Sequence, residues 1–139
     1  MKVVVDTNIL ARLFLEPENA ADGEQRAIVE KLFLQFSSIV IPTHVFCELA
    51  WILNTRNKFT KDEVYGVFRH LLKTTKIVCK EDEVNAGMLM LERGGDFADG
   101  VNEYTGRMMT NGESVFATFD KEAAKLLNER GIAAMIPQL

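Results

Sequence analysis

The chain has 139 residues, 47% hydrophobic and 26% charged, which is the composition of one globular domain (residues 1–139) with a core of its own. A net charge of −4 argues against a general-purpose nucleic-acid binder, whose domain is usually basic, but not against an enzyme whose carboxylates gather around metal ions. No apolar run reaches the roughly 18 residues of a membrane helix, and Asp6 interrupts the first valines too early for a signal peptide, so a cytoplasmic protein is expected.

Val3, Val4 and Val5 make residues 2–5 a strand that should lie inside a sheet. Residues 8–15 read as a short helix with Ile9, Leu10, Leu13 and Phe14 on one side. Residues 17–23 look like a loop, and Asp22 is placed to cap a second helix that presents Ile28, Val29, Leu32, Phe33 and Phe36. Residues 38–41 form a second strand. Pro42 then opens a helix through about Leu53, proline being at home in a first turn. Thr60 and Glu63 fit a capping box, and Val64, Val67, Phe68, Leu71 and Leu72 follow at helical spacing. Residues 76–79 are a third strand, and 81–92 a helix with Val84, Met88 and Leu91 inward. Residues 93–96 are a loop, 97–109 a helix, 114–119 a β-rich strand, and 120–130 a helix stopped by Gly131. Residues 133–136 close the chain as a last strand. Strands alternating with helices mean an α/β domain with a mainly parallel sheet of four to five strands, flanked by helices.

Parallel strands joined by right-handed crossovers line up their carboxyl ends. Asp6 and Asp120 directly follow strands, Glu48 lies about two turns into the helix opened by Pro42, and Asp99 begins the helix after Gly94 and Gly95. The topology therefore predicts that Asp6, Glu48, Asp99 and Asp120 approach one edge. Four carboxylates in one pocket repel unless a cation is present. Mg²⁺ and Mn²⁺ prefer such oxygen ligands. One or two such ions can activate water for phosphodiester cleavage, with Thr7, Asn8 and Thr118 orienting ligands without adding charge.

These residues resemble the PIN-domain ribonucleases. Val4-Val5-Asp6-Thr7-Asn8-Ile9-Leu10 is similar to their opening strand, Pro42 through Leu49 to their second acidic motif, Asp96-Phe97-Ala98-Asp99 to the third and Ala117-Thr118-Phe119-Asp120-Lys121 to the fourth. Size and motifs resemble VapC-type toxins of toxin–antitoxin pairs in particular. That resemblance implies a three-layer PIN-like sandwich and a Mg²⁺- or Mn²⁺-dependent endoribonuclease. It further implies an RNA substrate such as tRNA, a cognate antitoxin and a homodimer. It makes Asp6, Glu48, Asp99 and Asp120 the acidic quartet around the metal. Asn8 would match the polar residue of the first motif and Thr118 the hydroxyl before the last aspartate. After Asp99 the family continues with small apolar residues, whereas here Gly100-Val101-Asn102-Glu103-Tyr104 follows. Glu103 is either a fifth acid near the metal or a partner for a Lys or Arg.

Each acid has a plainer reading. Asp6 and Asp120 are natural helix caps, Asp99 is a first-turn acid favoured by the helix dipole, and Glu48 could be merely solvated; Asp96 reads as the cap of the 97–109 helix rather than as a ligand, which is its other reading. His44 reads as a surface residue, and Arg56, Lys58 and Lys61 as a solvated charge run or, alternatively, phosphate contacts. Trp51, Phe46, Met88, Met90, Met108 and Met109 read as core, with a partner-helix groove or dimer face as the other reading for Trp51 and Phe46; Cys47 and Cys79 are expected to be buried thiols. Three rival functions stay open. One is a PIN-like binding module whose chemistry has lapsed. Another is a phosphatase of haloacid-dehalogenase type, for which Asn8 stands where a second acid is needed. The third is a receiver domain, which needs adjacent acids near the start and a lysine after a late strand, where only Lys121 is a candidate.

Overall fold

A computed structural model describes residues 1–138 and shows an α/β protein whose strands all pair in parallel. Two compact units divide it, the first from Met1 to Lys80 and the second from Glu81 onward.

In the first unit, β1 (Lys2–Val4), β2 (Ser38–Val40) and β3 (Ile77–Val78) form a sheet in that order, with Val4 beside Val40 and Val40 beside Val78. Backbone bonds from Val5 to Val40 and from Ile41 to Val78 carry the pairing slightly past each strand's end. The expectation that all three valines are enclosed fails at Val4, which is 67% exposed, whereas Val5 is buried. Alternation along a strand sends neighbouring side chains to opposite faces, and here one face is less covered.

Helix α1 (Thr7–Phe14) packs against α2 (Ala20–Gln35) and α3 (Thr43–Trp51). The cap of α2 is Asn19 rather than Asp22: the Asn19 side chain accepts the Asp22 N–H, so the helix starts a turn earlier than the Pro17–Gly23 loop reading allowed. Asp22 instead accepts the Glu18 N–H and pairs with Arg12 at 3.0 Å. Along α2 Val29 is buried but Ile28 is 64% exposed, so the expected apolar face is only partly used. Pro42 precedes α3 as expected, and α3 runs on into a π-helical turn, Ile52–Arg56. The capping box of α4 (Lys61–Lys73) forms in both directions between Thr60 and Glu63. Leu10, Ile39, Ile41, Val45, Phe46, Leu49, Leu53, Val64 and Phe68 are fully buried, and Phe46 meets Phe68 edge to face with ring centroids 5.2 Å apart.

The second unit pairs α5 (Glu81–Glu92) with α6 (Phe97–Met109) in tight contact. The departure at Gly100 has a packing cause: a Cβ there would stand 2.5 Å from the Ala86 carbonyl oxygen. β4 (Phe116–Ala117) and β5 (Ala134–Met135) pair in parallel, joined by α7 (Lys121–Glu129). Gly131, at φ +77°, ends α7: its N–H reaches the Asn128 carbonyl while the Ile132 N–H reaches that of Leu127. Leu126, Leu127, Ala123 and Met90 form the core of this unit. Met88 and Met90 are buried as expected, but Met108 and Met109 are 46% and 85% exposed, because they fall on the last turn of α6.

Among the described residues no helix is long and apolar enough to cross a membrane.

Candidate metal centre

Three carboxylates of the second unit meet. Asp96, Asp99 and Asp120 each offer an oxygen, and these oxygens lie within 4.8 Å of one another. Local structure explains the meeting. The glycine loop, with Gly94 at φ +84°, turns the chain so that Asp96 takes the N-cap position of α6 and Asp99 its first turn. Positions three apart at a helix start share a side, and the helix dipole favours acids there. Asp120 comes in from the end of β4, where the Thr118 hydroxyl accepts its backbone N–H at 3.0 Å. One oxygen of Asp120 accepts the Ala123 N–H at 3.0 Å, so its capping role is real and engages only part of the carboxylate.

Asp99 is half-buried, while Asp96 and Asp120 are exposed. Like charges this close repel by about 1 kcal/mol per pair even at the dielectric constant of water. Exposed acids can tolerate that without an ion, so proximity alone does not make a metal site. The donor set does fit one: all three are hard oxygen ligands of the type that hold Mg²⁺ or Mn²⁺.

The first unit presents its acids differently. Asp6 follows β1, is exposed, and caps α1 by accepting the Thr7 N–H at 2.7 Å. Thr7 is 4% exposed, and its hydroxyl oxygen has no protein partner. A buried hydroxyl left unpaired costs about 1–3 kcal/mol, so a water or a hydrated ion beside Asp6 would relieve a real deficit. Asn8 is exposed in the first turn of α1. Glu48 lies on α3, which follows the neighbouring strand β2, and is exposed on the wall of a cavity of about 450 Å³.

Glu103 takes the second of its two readings. It is 5% exposed and forms a two-pronged ion pair with Arg107, at 2.7 and 3.3 Å. The guanidinium also stands over the Tyr104 ring at 5.6 Å. The Glu103 hydrogen bond raises the Arg107 pKa above its ordinary value, against the opposing effect of burial.

Asp96, for which the sequence favours capping over a ligand role, has its carboxylate in the cluster, as the spacing Asp-x-x-Asp at a helix start allows. Trp51, for which the sequence favours the core over a surface groove, is 59% exposed, while Phe46 on the same helix is fully buried. His44 is exposed, as expected, and Cys47 and Cys79 are half-buried rather than enclosed.

No curated protein sequence matches the chain significantly. The family model described as the PIN domain matches residues 3–127. PIN domains are generally nucleases and typically use a divalent metal. The matched stretch takes in Asp6, Glu48, Asp99 and Asp120 and runs through both compact units, and this chain belongs to the PIN domain family.

Proposed function

We propose that the chain acts as one PIN-like domain, a Mg²⁺- or Mn²⁺-dependent endoribonuclease, and serves as the toxin of a toxin–antitoxin pair. The observation that carries the reading is the approach of Asp96, Asp99 and Asp120 to within 4.8 Å, in a chain matched to the PIN domain over residues 3–127. Asp99 and Asp120 would hold the ion, Asp96 beside them, and the family resemblance adds Asp6 and Glu48 as further acids, directly or through water. When bound, the ion supplies charge neutralisation for phosphate and lowers the pKa of water for in-line attack. The chain's own contributions are structural. Thr118 fixes the backbone of Asp120, Asp120 keeps its oxygen aimed through its bond to Ala123, and Thr7 offers an unpaired hydroxyl beside Asp6.

The toxin assignment, with its antitoxin and homodimer, rests on the resemblance of size and motifs to VapC-type toxins. A cytoplasmic placement belongs to the same reading and follows from the resemblance alone. A lapsed binding module is the competing reading. Incubating the purified chain with structured and single-stranded RNA separates the two. Internal cleavage with Mn²⁺ or Mg²⁺, abolished by EDTA and by Asp6→Asn or Asp99→Asn, is expected. RNA left intact, together with no calorimetric heat on Mn²⁺ titration, would identify the lapsed module.

A further inference from the structure

The cavity on α3 is lined by Cys47, Glu48, Trp51, Ile52 and Arg56. Its residues share a face by construction. Glu48 and Trp51 are three apart on an α-helix, Glu48 and Ile52 four apart. Arg56 lies five residues past Trp51, and a regular α-helix would rotate it about 140° away. The π-helical turn Ile52–Arg56 changes that. Its wider repeat brings Arg56 round to the side of Trp51, and the Asn57 N–H bonding back to the Ile52 carbonyl at 3.2 Å is its signature. The turn is pinned, not loose. The Asn57 side chain donates to the same carbonyl at 3.0 Å, the Asn54 side chain to Phe59 at 2.7 Å, and the Thr55 hydroxyl to Trp51. Lys58 follows in a left-handed conformation, φ +61°, strained for a residue with a side chain.

We propose that this pocket is a nucleobase subsite of the nuclease, in which the Trp51 indole stacks against a base of single-stranded RNA while Arg56 meets an adjoining phosphate. The inference rests on the nuclease reading through Glu48, which belongs both to the proposed acidic set and to the pocket wall. Three features select RNA as the occupant. An indole 59% exposed offers a broad π face, and stacking on such a platform tolerates any base. Arg56, on the pocket wall, is an exposed cation on a chain of net charge −4, and Lys58 is exposed two residues on, a charge complementary to phosphate. Finally, a base held one helical turn from Glu48 would anchor the strand next to the chemistry.

Trp51 is the chain's single tryptophan, so its fluorescence reports this pocket alone. The test titrates full-length Asp99→Asn protein, in Mn²⁺, with a labelled single-stranded oligoadenylate of about ten nucleotides, within the usual site sizes. Saturable quenching of Trp51 emission is expected, with the midpoint given by the anisotropy of the RNA label. An abasic oligomer of equal length should bind without quenching. Trp51→Ala should weaken binding about tenfold or more, Trp51→Phe should restore most of it, and Arg56→Ala should lower the salt slope of binding by about one. In the otherwise wild-type enzyme, Trp51→Ala should raise KM with little change in kcat. Saturable RNA binding with unchanged emission overturns the subsite while leaving the nuclease intact. Emission that responds to dilution of the protein alone, and not to RNA, overturns it in favour of a face between copies of the chain. Failure of the unmodified protein to cleave any of the structured and single-stranded RNAs in Mn²⁺, with no heat on Mn²⁺ titration, is a separate result and sinks the underlying reading.

Discussion

The two units hold their acids by different physical means. In the second, Asp96 and Asp99 stand at the start of a helix packed tightly on its neighbour. α6 lies so close to α5 that Gly87 and Gly100 have no room for a methyl group, against the Phe97 ring and the Ala86 carbonyl respectively. Asp120 is tied at its backbone by Thr118 and at its carboxylate by Ala123. In the first unit, Asp6 and Glu48 stand on elements that follow neighbouring strands, with a buried hydroxyl unpaired beside one and an open cavity beside the other. Close helix packing brings three carboxylates together in the second unit, whereas the first unit presents a hydroxyl and an open cavity that a ligand would complete. On the proposed reading, the second unit would supply the nucleus of the metal site and the first would shape ligand and substrate.

The largest effect should come from Asp99→Asn. Loss of a ligand from the preorganised trio is expected to reduce RNA cleavage about a thousandfold, or about 4 kcal/mol of barrier, and to lower Mn²⁺ affinity more than Asp6→Asn does. Calorimetric titration of both variants decides it, and the comparison breaks if Asp6→Asn loses more metal affinity than Asp99→Asn. Next comes Gly100→Ala, which forces a methyl group onto the Ala86 carbonyl. It should cost about 3 kcal/mol in urea unfolding and loosen the trio as α6 is pushed off α5. A variant of wild-type stability would show that the two helices are not locked.

Parts of this arrangement were legible in the sequence because local rules decide them. Thr60 with Glu63, Pro42 and Gly131 act within one turn of their own position, and each behaves as its spacing implies. The acids after strands were legible too, since topology fixes which end of a parallel strand a following residue occupies. What stayed hidden depends on distant or competing partners. Helical periodicity finds the apolar side of α2 but cannot tell whether anything covers Ile28. Trp51, Met108 and Met109 were misassigned for the same reason. Asn19 and Asp22 both make good caps, and the one whose side chain reaches the other's N–H becomes the cap. Asp96 shows that one residue can hold a cap position and also stand in an acidic cluster.

Smaller effects sharpen the contrast within the second unit. Arg107→Ala would leave Glu103 buried and unpaired, at a cost of about 2 kcal/mol, below the usual figure for a buried pair because Arg107 is itself 32% exposed. Glu103→Gln should cost about half as much, since it strands no charge. The raised Arg107 pKa means this contribution is fully present below the ordinary arginine value and is lost only as pH rises through the raised one. The loss on Arg107→Ala should therefore be constant from about pH 6 to 9. Asp120 separates two roles of one carboxylate. Asp120→Ala should lose about 1 kcal/mol of stability with its cap, whereas Asp120→Asn keeps the cap and loses only metal binding. Thermal melts with and without Mn²⁺ distinguish them.

The smallest effect is the most informative about the first unit. Thr7→Val removes a hydroxyl that is buried and bonded to nothing in the protein, so without metal the variant should be as stable as the wild type or up to about 1 kcal/mol more stable. With Mn²⁺ the order should reverse. If the hydroxyl completes a ligand's hydrogen bonding beside Asp6, valine forfeits that bond. Mn²⁺ affinity should then fall about tenfold, with Thr7→Ser recovering it. Melting curves across an Mn²⁺ series test both halves at once. Full stabilisation of Thr7→Val by Mn²⁺ would mean that the unpaired hydroxyl plays no part in ligand binding. The first unit's share would then fall to the carboxylates alone.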